Sequence, residues 1–151
     1  MLFVTKLDDK AMLPTCSHPG EDLGFDIFAL EDVEVGPHAV TKVRTGISAQ
    51  YAPWGDQSDW CGKERYGLIV KDRSSVAASG LFTVAGVIDA SYTGEIIIMF
   101  RNVSQVILDV KAGQKIAQLV PTLVRTACRI KNVDVLPYGT RGYAGFGSTG
   151  K

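Results

Sequence analysis

The stretch Gly86-Val87-Ile88-Asp89-Ala90-Ser91-Tyr92-Thr93-Gly94-Glu95 lies between two apolar runs, at 81–87 and 96–100. Both runs are short, rich in β-branched residues and bounded by turn residues, which favours strands over helices. They predict a β-hairpin with Asp89 and Tyr92 at or beside its tip. Taken alone, these side chains fit an ordinary polar tip better than a functional one, because hairpin tips commonly carry Asp and Tyr.

Short alternating segments lie on both sides of this hairpin, which predicts further strands. The segments are residues 2–7, 23–30, 33–43, 46–51, 66–70, 105–110, 115–120 and 128–136. Turn residues predict that the two halves of 33–43 pair across Gly36-Pro37, and that 105–110 pairs with 115–120, which Pro121 ends. Only residues 71–80 have helical composition, with Ser74 or Ser75 as the cap and Gly80 as the stop.

About ten strands and one short helix predict an all-β protein, either a distorted β-barrel or a double-sheet jelly roll. A length of 151 residues fits a single domain, 1–151, with its core at about 1–137. The remaining residues, about 138–151, hold too much glycine to build a core, and we expect a mobile C-terminal tail.

Composition restricts the classes of partner. The formal net charge is zero, from 16 basic and 16 acidic residues, which argues against a duplex nucleic-acid or membrane surface. The cysteines, at positions 16, 61 and 128, are odd in number and share no metal-like spacing, so neither a disulfide framework nor a zinc site is predicted. A cytoplasmic protein is expected, since no signal peptide or bilayer-length apolar run is present.

Several polar residues outside the hairpin are candidates for a site. Asp26 shares a strand face with apolar neighbours and either caps a turn or has a functional role. Arg73 and the hydroxyls of Ser74 and Ser75 stand at a helix start, which suits a phosphate. Gln118 interrupts an apolar strand, where it either satisfies an edge amide or contacts a ligand.

The tail and one long loop have unusual contents. Arg141, Ser148 and Thr149 with the neighbouring amides suit a polyphosphate, and Phe146 suits a flat ring, so the tail is predicted to close as a lid. The loop at 52–65 contains two tryptophans, Trp54 and Trp60. They either pack the loop onto its own domain, which we favour, or form a partner surface.

Five segments in order resemble the five motifs of the trimeric dUTP pyrophosphatases (dUTPases). The segments are 23–30 with Asp26, Asp72-Arg73-Ser74-Ser75-Val76-Ala77, 86–95, 112–120 and 141–150. The third, GVIDASYTGE, and the fifth, RGYAGFGSTG, are the most specific. The resemblance implies a jelly-roll homotrimer with three shared active sites, Mg²⁺ as cofactor and dUTP as substrate. It also implies the products dUMP and pyrophosphate, which keeps dUTP low and supplies dUMP for thymidylate synthesis.

The resemblance also implies a role for each matching residue. Asp89 matches the general base that activates water for attack on the α-phosphorus, and Tyr92 matches the ring that excludes a 2′-hydroxyl. Main-chain groups of the hairpin, at Gly86 and Ile88, would read uracil, whereas Thr83 replaces an Asn that assists in several members. The substrate phosphates would contact Arg73, Ser74, Ser75, Gln118 and the tail residues Arg141, Gly147, Ser148 and Thr149, with Phe146 stacked on uracil. Asp26 would support the water shell of the magnesium ion.

Two alternatives remain at this point. A dCTP deaminase shares the fold implied by the resemblance, although such enzymes generally lack the Asp-x-x-Tyr hairpin and the glycine-rich tail. A nucleotide-gated regulatory protein that uses the 52–65 loop on a partner is compatible with intact catalytic motifs.

Overall fold

A computed structural model describes residues 1–52, 64–125 and 130–134. These ranges contain eleven strands and one helix. The elements are β1 (Leu2–Lys6), β2 (Phe25–Phe28), β3 (Val33–Val35), β4 (Val40–Arg44), β5 (Ile47–Tyr51), β6 (Glu64–Asp72), α1 (Ser74–Ala78), β7 (Leu81–Thr83), β8 (Val87–Ile88), β9 (Ile97–Asn102), β10 (Leu108–Val110) and β11 (Lys115–Arg125). The predicted all-β class with one short helix is confirmed. No helix in these ranges is long and apolar enough to cross a bilayer.

The strands form four antiparallel sheets around one core. Their orders are β1-β5, β10-β3, β2-β11-β6-β8 and β4-β9-β7. All four sheets contribute apolar side chains to this core, among them Ile27, Val35, Ile47, Leu119 and Phe100. Within the described ranges the strands do not close into a barrel, so of the two predicted architectures the layered one fits.

Two predicted hairpins are wrong, although their strands exist. β3 pairs with β10 and β4 pairs with β9, so the chain turns a corner between sheets at Gly36-Pro37. Asn102 is fully buried at this corner, where its side chain donates to Val35 O (2.9 Å) and its backbone N–H donates to Ala39 O (3.1 Å). Turn chemistry predicted the reversal but not this long-range polar contact, which directs the two strands to different partners.

The strand β11 differs most from expectation. It does not pair with the preceding strand but lies between β2 and β6, and it continues through Pro121 to Arg125. Beyond Leu119 only β6 pairs with β11, and a proline is tolerated where one edge of a strand has no partner. The predicted last strand at 128–136 is not observed at residues 130–134, which have no regular structure, and its other residues lie outside the described ranges.

Candidate active site

The predicted hairpin at 81–100 is only partly a hairpin. Its base pairs as expected, with β7 on β9 and the Val84 N–H donating to Met99 O (2.9 Å). The first arm then turns away at Ala85 and Gly86, which have φ angles of 73° and 154°. β8 continues the arm on another sheet, where Ile88 pairs with Leu68 of β6. The two arms therefore separate before they reach the tip.

The separated arms enclose a cavity of about 360 Å³. This volume lies within the usual range for small-molecule sites. Its lining comes from both arms and from β6, and consists of Val70, Val84, Ala85, Gly86, Val87, Ile88, Asp89, Tyr92, Glu95, Ile97, Ile98 and Met99. Gly86 closes the wall against β6, since a Cβ there would meet Val70 Cβ at 3.0 Å in a backbone region that favours glycine. Thr83 lies outside this lining, and its backbone N–H donates to Asp72 Oδ1 (2.7 Å).

Asp89 and Tyr92 lie at the mouth of this cavity. Both are exposed, and the Tyr92 N–H donates to Asp89 O (2.9 Å) in a tight turn. The Tyr92 hydroxyl donates to Glu95 O (2.9 Å), which lays the ring across Gly94. A Cβ on Gly94 would stand 2.5 Å from that hydroxyl oxygen, so only glycine allows this ring position. Asp89 also borders a second cavity, of about 430 Å³, on the side of β8 that faces Thr122.

Glu95 anchors the second arm, a role that the sequence reasoning missed. Its carboxylate accepts from the Gly46 N–H (2.8 Å) and contacts Arg44 Nε at 3.2 Å. Glu95 is the last residue of the GVIDASYTGE stretch, so the sequence shows the acid itself. Its partners, Arg44 and Gly46, are about fifty positions away, so no local pattern identifies the contact.

A second cluster forms where β2, β11 and β6 lie side by side. Gln118 lies opposite Asp26 on β2 and opposite Lys71 on β6, and Arg73 follows the end of β6. Arg73 Nε lies 3.0 Å from Asp26 Oδ1 without hydrogen-bond alignment, and Lys115 Nζ lies 2.9 Å from Asp26 Oδ2. Asp26, Arg73 and Gln118 border a cavity of about 260 Å³ together with Ser17, His18, Asp22, Leu23 and Gly24.

Two cations lie beside one carboxylate at this cluster. Asp26 faces Arg73 and Lys115, while Asp22 adds a second carboxylate to the cavity lining, so the formal charges of these four groups sum to zero. Guanidinium and ammonium groups are the usual partners of phosphate oxygens. At the rim, the His18 backbone N–H donates to Asp22 Oδ2 (2.8 Å), and this bond lowers the pKa of Asp22 below 3.8.

The cluster fits a magnesium ion only in one way. Both Asp26 oxygens contact cations, and the described residues contain no group of three acids, histidines or cysteines that could hold a metal. Mg²⁺ keeps several waters and commonly takes its direct ligands from substrate phosphates. Asp26 therefore fits an ion carried by a bound polyphosphate and contacted through water, not an ion held by protein ligands.

The helix start differs from its prediction. Arg73, not a serine, is the N-cap, and no side chain caps the helix. Ser74 and Ser75 are the first two helical residues and both are exposed. Arg73 is the cap because it continues the extended conformation of β6 (ψ 139°). The first helical residue is therefore Ser74, one position earlier than a Ser74 cap would give. Gly80, with a φ of 98°, ends the segment as expected.

The structure brings some predicted site residues together and separates others. Asp26, Arg73 and Gln118 form one half-site, and Gly86, Ile88, Asp89 and Tyr92 form another. The two cavities share no lining residue. From strand order and register, Asp26 and Ile88 are roughly 18 Å apart in the sheet. Arg141, Phe146, Gly147, Ser148 and Thr149, the tail at 138–151, and Trp54 and Trp60 lie outside the described residues.

Comparisons with known proteins agree on one family. The dUTPase family model matches residues 9–150. A deoxyuridine 5'-triphosphate nucleotidohydrolase of Picosynechococcus sp. is 38% identical over 152 residues, which cover 99% of this chain and 98% of the relative. One of Clostridium novyi is 36% identical over 151 residues and covers 99% and 98%.

Solved structures agree with this fold. The dUTPase of Staphylococcus bacteriophage 80alpha with dUPNHPP has a TM-score of 0.83 at 24% identity, covering 100% of this chain and 99% of the other. A dUTPase from phage phi11 of S. aureus, described with a structural Mg(II) ion, has a TM-score of 0.74 at 22% identity and covers 91% and 99%. At these identities the likeness to solved structures shows the fold alone. The family model and the relatives at 36–38% identity show that this chain belongs to the dUTPase family.

Proposed function

We propose that this protein hydrolyses dUTP to dUMP and pyrophosphate. The observation that carries the proposal is the divided hairpin, which encloses a cavity of about 360 Å³ with Asp89 and Tyr92 at its mouth. Its apolar walls and nearby main-chain groups suit a flat base, and the two mouth residues suit the sugar and the reacting phosphate.

Asp89 is the general base in this proposal. Its carboxylate takes a proton from a water molecule as the water oxygen attacks the α-phosphorus. The bond from the α-phosphorus to the bridging oxygen breaks, and pyrophosphate leaves with the electron pair. The exposure of Asp89 supports this role, because an exposed carboxylate is accessible to water.

Tyr92 would exclude ribose nucleotides, and the hairpin backbone would read uracil. The ring is 42% exposed beside the cavity and is held across Gly94 by its hydroxyl. A 2′-hydroxyl would collide with a ring in that position, which discriminates by rejection. Gly86 and Ile88 line the cavity, and we assign their main-chain groups to the uracil edge.

Phosphate binding falls to the second half-site and the tail. Arg73, Ser74, Ser75 and Gln118 would contact the phosphates, a role that the guanidinium of Arg73 at the cavity supports. We assign the same task to Arg141, Gly147, Ser148 and Thr149, with Phe146 covering the base, as a lid formed by residues 138–151. A chain that ends at Tyr138 would then lose most of its activity.

Asp26 is the residue that we assign to magnesium. Bound to the substrate phosphates, Mg²⁺ would supply charge neutralisation and a more electrophilic α-phosphorus. Asp26 would contact its waters, and Arg73 and Lys115 would keep that carboxylate in place.

A homotrimer with shared sites is part of the proposal. A separation of roughly 18 Å between Asp26 and Ile88, the residue before Asp89, supports it, since the base and the residues around the phosphates must meet at one bound substrate. Two copies of the chain can bring opposite half-sites together around a symmetry axis. We further propose a cytoplasmic enzyme that keeps dUTP low and supplies dUMP for thymidylate synthesis, without duplex nucleic-acid or membrane partners.

Hydrolysis of a nucleotide panel tests the function. The four common dNTPs, dUTP and UTP are each incubated with the enzyme and Mg²⁺, and pyrophosphate and ammonia are followed separately. We expect pyrophosphate from dUTP alone and no ammonia from dCTP. Ammonia from dCTP would instead indicate a deaminase, and equal rates with dUTP and UTP would contradict the role of Tyr92.

A further inference from the structure

Among the described residues, two side chains of one strand hold the segment that carries Asp89 and Tyr92. Ser48 Oγ donates to Thr93 O (3.0 Å), and Gln50 Nε2 donates to Ala90 O (3.2 Å) and to Tyr92 O (3.4 Å). Ser48 and Gln50 both belong to β5. Three backbone carbonyls of the segment therefore take their position from two side chains of one strand.

The residues just before β5 hold the other end of the same connection. Arg44, the last residue of β4, and the backbone N–H of Gly46 contact Glu95. Ser48 and Gln50 are alternate residues of β5 and lie on one face of it, where they hold residues 90–93. The connection from Ala90 to Glu95 is thus held at both ends by residues 44–50.

β5 is more firmly fixed than the segment that it holds. All five of its residues pair with β1, and Ile47 and Ala49 are buried in the core. Ser91, Tyr92 and Thr93 are exposed and belong to no strand. Exposed irregular segments open at low cost, whereas core strands do not. Bonds between the two therefore restrict the segment.

We propose that Gln50 and Ser48 are positioning residues for Tyr92 and so determine how strictly the sugar is selected. This inference rests on the proposed function. Steric exclusion of a 2′-hydroxyl requires a ring that cannot retreat, and a ring on a loose segment retreats easily. Gln50 binds the carbonyl of Tyr92 itself, and Ser48 binds the next carbonyl. Functional groups of this kind need a position fixed to about half an ångström by their supporting contacts.

The test compares Gln50→Ala and Gln50→Glu with the unaltered enzyme. Glu keeps the size of the side chain but has no N–H to donate to the two carbonyls. We expect the ratio of kcat/KM for dUTP to that for UTP to fall roughly threefold to tenfold in both variants, mainly because UTP is hydrolysed faster. Gln114→Ala is the matched control, since Gln114 also ties a surface turn, through the Lys111 N–H (3.0 Å), and should leave the ratio unchanged.

A further variant and hydrogen exchange distinguish a loss of positioning at residues 90–93 from a general loss of stability. Ser48→Ala removes the neighbouring bond and should lower the ratio in the same direction. In all three variants, backbone amides of residues 90–93 should exchange hydrogen faster, while those of β9 remain as protected as before. An unaltered ratio in folded Gln50 and Ser48 variants would overturn the inference alone. An unaltered enzyme that treats dUTP and UTP alike would overturn both the proposed sugar selection and this inference.

Discussion

Tyr92 and Gly94 depend on each other at the level of single residues. The tyrosine ring crosses the glycine so closely that its hydroxyl oxygen and the ring carbon beside it would lie 2.5 and 2.7 Å from an added Cβ. A side chain at position 94 therefore forces the ring away from the cavity mouth. The glycine is needed for space, and it has no unusual φ.

Gly94→Ala should reduce sugar selection by roughly tenfold, because the displaced ring no longer excludes a 2′-hydroxyl. The ratio of kcat/KM for dUTP to that for UTP measures the effect. The melting temperature should change little, since Tyr92 is exposed. Gly36→Ala is the matched control, as a Cβ there meets nothing closer than 3.8 Å. An unchanged ratio in Gly94→Ala would show that Tyr92 does not select the sugar.

Asp89→Asn should keep nucleotide binding and lose turnover by at least about 10²-fold, because an amide cannot accept the proton of the attacking water. Binding of dUpNHpp by calorimetry and steady-state hydrolysis of dUTP measure the two properties separately. Asp109→Asn, an exposed acid on β10, serves as the control. Near-normal turnover in the Asp89 variant would exclude the assignment of Asp89 as base.

Residue-scale predictions from sequence were uneven for a physical reason. Asp89 and Tyr92 are candidates from sequence because neighbouring residues form a specific motif. Glu95, Ser48 and Gln50 act through partners some forty or fifty positions away, so no local pattern reveals them. The roles of Asp89, Tyr92, Asp26, Arg73, Gln118 and the tail residues all stay predictions.

At the level of loops and secondary-structure elements, the loop between Thr15 and Asp26 contains a turn that depends on one carboxylate. It closes as an isolated bridge, Thr15 with Asp26, and its His18–Asp22 turn borders the cavity beside Arg73. The Asp22 carboxylate accepts from the His18 backbone N–H, and this bond is the main cause of its lowered pKa. The turn therefore depends on an ionised carboxylate.

Acidification should loosen this turn. The folded-state pKa of Asp22 lies below its ordinary value of 3.8, so its contribution to stability is present above that value and is lost as the pH falls through the folded pKa. The His18 amide proton, followed by NMR, should shift and lose protection as the pH falls below the ordinary value of 3.8. Asp22→Asn should abolish this pH dependence, whereas Asp9→Asn should preserve it. A His18 amide that ignores pH in the unaltered protein would contradict the account.

Elements were predicted better than their partners. Period-two alternation located most strands, because each buries one face. Pairing depends on which faces meet in the core, and the alternation is the same for every choice. For that reason the sequence indicated the reversals at Gly36-Pro37 and at 111–114 but assigned both pairs of strands wrongly.

At the scale of the whole molecule, the proposed sites shared between copies can be tested with mixed trimers. We suppose that each site takes Asp89 from one copy and Arg73 from another. A mixed trimer of Asp89→Asn and Arg73→Ala chains then contains some sites in which both residues are intact. Refolding equal amounts together should restore about a quarter of the unaltered activity, because each site draws base and arginine at random from two kinds of chain. Each variant refolded alone is the control. Mixed trimers as inactive as the separate variants would exclude shared sites.

The position of β11 between β2 and β6 also determines when this part of the protein can fold during synthesis. Asp26 lies early in the chain and Gln118 late, and they become neighbours only when β11 enters the gap between the two strands. Contacts between distant parts of a chain form slowly, because a long loop must close first. A chain still emerging from the ribosome thus cannot assemble the Asp26–Gln118 half-site, and the phosphate binding that we propose there requires synthesis to have passed β11.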